Sequence, residues 1–303
     1  MEKAGIEYEE DSKIMDRAFL KEGTDEINTN IERPPAPKIN PKVDNLVFMQ
    51  LDLDYETSTP PSHLNMGSEN TSVVRIFGVT NEGNSVMAHV YCFRPYFYVK
   101  PYNDDAQFSA SDLDQIKDTL NEKLGGDHIN AITDIEQVEK KSIKNYSPDT
   151  STFLKIYTRF PTDVSKIKSL FEIGFTYQDY RFDTITYESN MPYGLRFMID
   201  TGIFGVSWIE LKAGTYHLRK HKKTSSCQYE VDIQNYNEIE CHSCEGPYAG
   251  IAPLRIMSFD IECASDKGSF PRAEKDPVIQ IANICKIQGQ EQPFIRNIFV
   301  LGD

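Results

Sequence analysis

From residue 45 the chain alternates between apolar and polar positions. Val47, Met49, Leu51 and Leu53 interleave with Phe48, Gln50, Asp52 and Asp54, the period of two that sets one face of a strand on a core. Residues 57–72 are polar, contain a Pro-Pro step and read as a loop. Val73 to Val79 and Ser85 to Phe93 are apolar runs on either side of Asn81-Glu82-Gly83, a hairpin signal.

A mixed region follows. Tyr96 to Val99 is strand-like. From Ser109 to Leu124, residues Leu113, Ile116, Leu120 and Leu124 share one helical face, with Ser109 or Ser111 as N-cap and Gly125-Gly126 as the stop. Ile129 to Val138 and Phe153 to Phe160 read as strands. Thr162 to Ile173 reads as a helix with Val164, Ile167 and Phe171 inward, and a short strand lies near Tyr180. The order β-α-β-β-α-β is the ferredoxin-like plan, which RNA-recognition modules also use. Phe153 and Tyr157 fall on the strand face where such modules stack bases; the glycine-rich signature of those modules is missing, and core packing explains both residues equally simply.

Strands are expected again at Leu195 to Asp200, Val206 to Leu211, Tyr216 to Leu218 and Cys227 to Ile233. Three more, starting at Ile251, Val278 and Phe294, read as a β-meander with a turn at Gly289. The fold class is α+β: a β-rich domain over 43–250 containing the ferredoxin-like unit, then a second domain opening at 251.

Composition changes this picture mainly at the amino terminus. Residues 1–42 are acidic, with ten acids against four bases in the first 32, and then proline-rich over 33–41. Such a segment reads as a disordered tail, with one local helix around Ile14 to Leu20. The net charge of −14 argues against a module that coats nucleic acid with a basic stripe. It does not argue against an enzyme whose metals neutralise local acid. No apolar run approaches a membrane span and none resembles a signal peptide. The six cysteines are widely spread, so free thiols in a reduced compartment are expected.

The candidate chemistry sits at Ser258-Phe259-Asp260-Ile261-Glu262-Cys263. Asp260 and Glu262 project from one face of an apolar run that reads as a buried strand, about 6 to 7 Å apart along the chain. Two unpaired like charges there need compensation, and hard Mg²⁺ or Mn²⁺ supplies it through carboxylate oxygen. A solvated pair of acids remains open on local pattern alone. Asp52 and Asp54 form a competing D-x-D pair, but the clean alternation around them reads as solvated acids. Cys241-His242-Ser243-Cys244 has no second pair to complete a zinc site and reads as free thiols in a loop. Arg219-Lys220-His221-Lys222-Lys223 reads as an exposed hairpin tip, with a phosphate contact or nuclear signal as the functional alternative.

At this point a resemblance emerges. Residues 251–264, Gly268-Ser269-Phe270-Pro271 and Asp276-Pro277-Val278-Ile279-Gln280-Ile281 resemble the family B DNA polymerases, the delta type above all. Leu195 to Ile203, Trp208 to Leu211, Phe77 to Gly83 and Pro95 to Tyr98 resemble the same family. The resemblance covers about residues 45–303 and rests on several motifs in order. It implies a two-metal 3′→5′ proofreading exonuclease of RNase H-like fold, with Asp260 and Glu262 as metal ligands of its first motif. It implies DNA, as primer 3′ end and template, as the partner, and a nuclear location. It also implies a sliding clamp and accessory subunits, reached through a carboxy-terminal region with iron–sulfur or zinc cysteines that these 303 residues lack. The second exonuclease motif (an Asn and an Asp), the third (a Tyr and an Asp) and the polymerase aspartates are missing as well. The expectation is the first strands of an incomplete exonuclease domain, inactive alone. A non-catalytic nucleic-acid-binding module is the rival reading. A stand-alone nuclease, drawing acids such as Asp200 and Asp232 from upstream, is a third.

Overall fold

In chain order the strands and helices are β1 (Leu46–Ser58), β2 (Thr71–Val79), β3 (Ser85–Val90), β4 (Tyr96–Pro101), α1 (Ala110–Leu124), β5 (Ile132–Lys141), β6 (Thr150–Thr158), α2 (Asp163–Glu172), β7 (Thr176–Tyr177), β8 (Tyr180–Tyr187), α3 (Tyr193–Thr201), β9 (Trp208–Leu211), β10 (Tyr216–Leu218), β11 (Tyr229–Ile233), β12 (Ile239–His242), β13 (Arg255–Cys263), β14 (Val278–Ile287) and β15 (Ile295–Val300). The structure is a computed structural model that describes residues 33–128, 130–143, 148–265 and 268–301. The expected helix at Ile14 to Leu20 lies outside the described residues. Two compact units emerge, Pro35–Gly250 and one whose described part is mainly 251–301.

The first unit holds two sheets. Seven strands run in the order β10-β11-β3-β2-β1-β9-β12, all antiparallel except the β11–β3 pair. Their core gathers Leu46, Phe48, Val74, Ile76, Val86, Ala88, Val90, Ile209, Leu211, Val231 and Ile233. The expected hairpin at 80–84 forms: Thr80 N–H donates to Asn84 O, and Gly83 takes φ +84°. The phase of β1 differs from the simple alternation. Leu46 and Phe48 enter the core while Val47 is only half buried, and the register slips between Gln50 and Asp52. The extra residue, Leu51, is a β-bulge, which re-aims every side chain after it. Gly78 sits opposite Gln50, where an added Cβ would come under 3.0 Å from Met49 O and the Phe48 ring.

The second sheet has the order β5-β6-β4-β8-β7, the strand arrangement of the ferredoxin-like plan. Ser109 caps α1 with a reciprocal capping box to Asp112, satisfying orphan amides. Ile116 and Leu120 of α1 and Ile167 and Phe171 of α2 pack with Phe97, Val99, Leu154 and Ile156 on one sheet face.

Two local expectations change. Leu195 to Asp200 is not a strand but the middle of α3. Pro192 opens the helix and Gly202, at φ +70°, closes it; Tyr193 and Phe197, four apart, are buried together, and Arg196 pairs with Asp200. A segment this short, four apolar residues with Arg196 and Asp200 among them, has too little period to separate helix from strand. The proline segment is also tied down in part. Tyr229 Oη donates to Pro37 O at 2.6 Å, Gly214 N–H to Pro41 O at 2.7 Å, and Ile39 packs on the main core. Proline carbonyls remain good acceptors although the residue lacks a donor.

In the second unit β13, β14 and β15 form an antiparallel meander. Its large side chains stay exposed on both faces, with Phe259 66% and Phe299 58% exposed on one and Ile284 48% and Val300 58% on the other. Contiguous apolar surface of this kind marks an interface or an unfinished layer.

Candidate functional site

Asp260 and Glu262 lie in β13 and, two residues apart, share one face with Ile256 and Ser258. Directly across on β14 they meet Ala282 and Gln280. The register shifts immediately after Glu262, and bulges of this kind recur beside active sites because they re-aim side chains. Both carboxylates are solvent-exposed. Asp260 Oδ1 accepts from the Ile261 N–H at 2.9 Å. Among the described residues neither acid forms an ion pair with a Lys, Arg or His.

A second pair in β11 shows what this means. Glu230-Val231-Asp232 repeats the acid-x-acid pattern of Asp260-Ile261-Glu262 in an apolar strand, yet both acids are fully buried and share one guanidinium, Arg219. Arg219 Nε donates to Asp232 Oδ1 at 2.7 Å, its Nη1 to Glu230 Oε1 at 3.1 Å and its Nη2 to the Tyr91 hydroxyl at 2.9 Å. His63 Nε2 lies 3.2 Å from Asp232 Oδ2. Glu230 also accepts from the N–H and hydroxyl of Thr224 and of Ser225, and from His89 Nε2 at 2.9 Å. Burial alone would raise the Glu230 pKa, but the Thr224 amide, His89 and the two hydroxyls outweigh it and hold the carboxyl at about 2. Burial and the nearby Arg219 push His89 down, so it is neutral and donates through Nε2. Arg219 therefore belongs to the interior, not to an exposed tip; Lys220, His221, Lys222 and Lys223 after it are surface groups.

The contrast is chemical. The β11 pair has its cation in the protein. The β13 pair consists of two carboxylates on one strand face that have no ion-pair partner among the described residues, the donor type that suits a hard divalent ion. Two residues are not a complete site: among the described residues no three His, Cys, Asp or Glu side chains gather closely enough to hold a metal. The other candidates resolve differently. Asp54 is held bidentately by Arg75, with both contacts at 2.6 Å, and Glu56 joins at 2.7 Å. Asp200 accepts from the Tyr96 hydroxyl at 2.7 Å and pairs with Arg196, so neither Asp200 nor Asp232 stands unpaired. Cys241 is on β12, not in a loop, 3.2 Å from the Ser207 hydroxyl; it and Cys244 are free thiols. No described helix is long and apolar enough to cross a membrane.

Comparison with known proteins places these observations in a family. Residues 184–303 match the exonuclease domain of DNA polymerase family B, and residues 92–165 match the N-terminal domain of the DNA polymerase delta catalytic subunit-like group. The DNA polymerase delta catalytic subunit of Drosophila melanogaster is 38% identical across 100% of this chain, that of Oryza sativa subsp. japonica 40% across 85%, and that of Dictyostelium discoideum 41% across 89%. The chain spans 24–29% of the length of these three relatives. The family B DNA polymerase from the archaeon Pyrobaculum calidifontis shares the fold with a TM-score of 0.56 at 24% identity, over 84% of this chain and 27% of that one.

Proposed function

The chain belongs to the family B DNA polymerases, matched by delta catalytic subunits over 85–100% of its own length, and from that premise we propose that it is the amino-terminal part of a replicative DNA polymerase with a two-metal 3′→5′ proofreading exonuclease. The observation that carries the reading is the pair Asp260 and Glu262 on one face of β13, without an ion-pair partner among the described residues and inside the region matched to the exonuclease domain. In this reading residues 43–250 form the N-terminal domain and residues 251–303 open the exonuclease domain. The matched exonuclease region begins earlier, at residue 184, so it takes in α3 and strands of the first unit as well.

Asp260 and Glu262 would hold Mg²⁺ or Mn²⁺ through carboxylate oxygen. When bound, the ions supply an activated water and stabilise the departing 3′ oxygen. The chain's own part is to fix two donors on one face of one strand, in regular register with Ala282 and Gln280 of β14. Two carboxylates cannot fix two ions in catalytic geometry, so the 303 residues alone are inactive in this account. The substrate is the primer 3′ end on its template. The sliding clamp and accessory subunits bind elsewhere in the longer protein, where iron–sulfur or zinc cysteines also lie, and the enzyme works in the nucleus.

The test has two arms. Sequencing the transcript past codon 303 should show an open frame carrying the remaining exonuclease acids; a stop codon there contradicts the reading and favours a short nucleic-acid-binding module. Mn²⁺ titration of the 303-residue chain by paramagnetic relaxation should show weak binding that Asp260→Ala with Glu262→Ala removes. Equal Mn²⁺ binding by the double variant rejects these two residues as ligands.

A further inference from the structure

Where α2 begins, three titratable side chains from two elements form a chain of contacts. Asp163 and Lys166 are three residues apart on the helix and share one face of it. At that spacing a direct ion pair is the ordinary outcome. His128 stands between them instead: its Nδ1 lies 3.0 Å from Asp163 Oδ1, and its Nε2 meets Lys166 Nζ. The backbone of His128 is held on both sides. It closes the 3₁₀ turn Gly126–His128, its N–H donates to Gly125 O at 3.1 Å, and its carbonyl accepts from the Ala131 N–H at 3.0 Å. Asp163 is fixed as well, with its side chain 5% exposed and its Oδ2 accepting from the Phe160 N–H at 3.1 Å. The tautomer follows from these partners. A carboxylate only accepts, so Nδ1 carries the proton and Nε2 turns its lone pair to Lys166.

Other lysines meet carboxylates directly. Lys117 pairs with Asp114 at 2.9 Å, Lys168 with Glu172 at 3.3 Å and Lys212 with Glu240 at 2.6 Å. The hydrogen bonds to Asp114 and Glu240 push Lys117 and Lys212 up and keep them as ammonium, which has no lone pair for attack. Lys166 meets a base, and that base is oriented by a buried carboxylate. Nucleophile, base and orienting group in this order is the arrangement that activates nucleophilic side chains. Lys166 is exposed and His128 half buried, so a small electrophile reaches the nitrogen without displacing the imidazole.

We propose that Lys166 is a site of Nε-acylation by acyl thioesters, with His128 as its base and Asp163 as the residue that positions the imidazole. The Lys166 ammonium passes one proton to His128 Nε2. The freed lone pair attacks the thioester carbonyl carbon; the C–N bond forms, and the C–S bond breaks with its electron pair leaving on sulfur. The thiolate takes the second proton from the nitrogen, and the His128 imidazolium gives its proton to water. One ammonium and one thioester yield one neutral amide, one thiol and one proton. The modification removes a positive charge from the surface of α2. The inference stands on the first unit alone and does not depend on Asp260 or Glu262.

Limited acetylation of the 303-residue chain by S-phenyl thioacetate at about pH 8, read residue by residue by peptide mass spectrometry, tests it. Lys168 on the same helix is the internal reference. Lys166 should be acetylated at least about fivefold faster than Lys168. His128→Gln keeps a polar side chain but no base, and should bring the two rates within about twofold of each other. Asp163→Asn should lower the Lys166 rate, and Asp260→Ala with Glu262→Ala should leave it unchanged. A parent ratio below about fivefold overturns the proposal, as does a ratio still above about twofold in His128→Gln with an intact circular dichroism spectrum. An Asp163–His128 pair that only fastens the turn to the helix predicts one of those two results. Should His128→Gln unfold, the parent ratio decides alone.

Discussion

Replacing Glu230 by Gln tests whether the buried charge network is what holds the main sheet together at β11. The carboxyl titrates at about 2 against an ordinary 4.5. At 1.36 kcal/mol per unit, that difference is about 3 kcal/mol of stability at neutral pH. The sign follows from the depressed folded value: the contribution is complete above 4.5, shrinks as pH falls towards 2, and is gone below it. Gln keeps an acceptor oxygen of nearly the same size, so little packing is lost. Its amide nitrogen, however, faces donors whichever oxygen it replaces, Thr224 and Arg219 at the Oε1 position or Thr224 and Ser225 at the Oε2 position, and the charge opposite Arg219 is gone. Urea unfolding followed by the single tryptophan, Trp208 on β9 of the same sheet, gives both stabilities. Glu230→Gln should cost about 3 kcal/mol at pH 7 and only about 1 kcal/mol near pH 3. A cost below about 1 kcal/mol at pH 7, or one that does not shrink with pH, refutes the electrostatic reasoning.

Other consequences can be checked independently. His89, pushed below its ordinary 6.5, adds stability that is present above 6.5 and lost as pH falls, so the parent chain's urea midpoint should decline from about pH 6.5 downward and His89→Gln should flatten the upper part of that decline. Gly78→Ala drives a methyl into Met49 O and the buried Phe48 ring, and should cost about 1 to 3 kcal/mol in the same unfolding assay. Ser109→Ala removes the capping box of α1 and should cost about 1 kcal/mol, with no change in m-value. Phe259→Asp with Phe299→Lys replaces exposed rings on the meander, and should lower binding of a hydrophobic dye while leaving the Trp208 transition in place.

Much of this architecture is legible from local chemistry. The Asn81-Glu82-Gly83 turn, the Ser109 cap and the 3.6-residue apolar period over 113–124 each specify their element without help from distant residues, so the ferredoxin-like unit could be read directly. The errors fall where tertiary contacts decide. Leu195 to Asp200 is helical because Tyr193 and Phe197 pack together and Arg196 meets Asp200, facts that so short a segment does not reveal. The phase of β1 depends on a bulge whose partner, Gly78, lies in another strand. The β11 network was missed because Arg219, His89 and Tyr91 come from separate strands and loops; the signal was available as two acids, Glu230 and Asp232, in a strand too apolar to be solvated. That same signal drew attention to Asp260 and Glu262. What distinguishes the two pairs is burial beside a guanidinium: the β11 acids are buried against Arg219, while the β13 acids are solvent-exposed, and sequence spacing shows neither.

The central claim is that Asp260 and Glu262 are half of a proofreading site whose other acids lie beyond residue 303. Its most direct measurement is Mg²⁺-dependent release of nucleotides from a mismatched 3′ end, compared between the 303-residue chain and the polypeptide encoded by the full open frame. The account predicts no release above background by the 303 residues. It predicts release by the longer polypeptide, reduced by Asp260→Ala with Glu262→Ala by about a thousandfold or more, the scale expected when metal ligands are lost. Mg²⁺-dependent release by the 303 residues that the same double substitution abolishes, or full activity of the longer double variant, contradicts it.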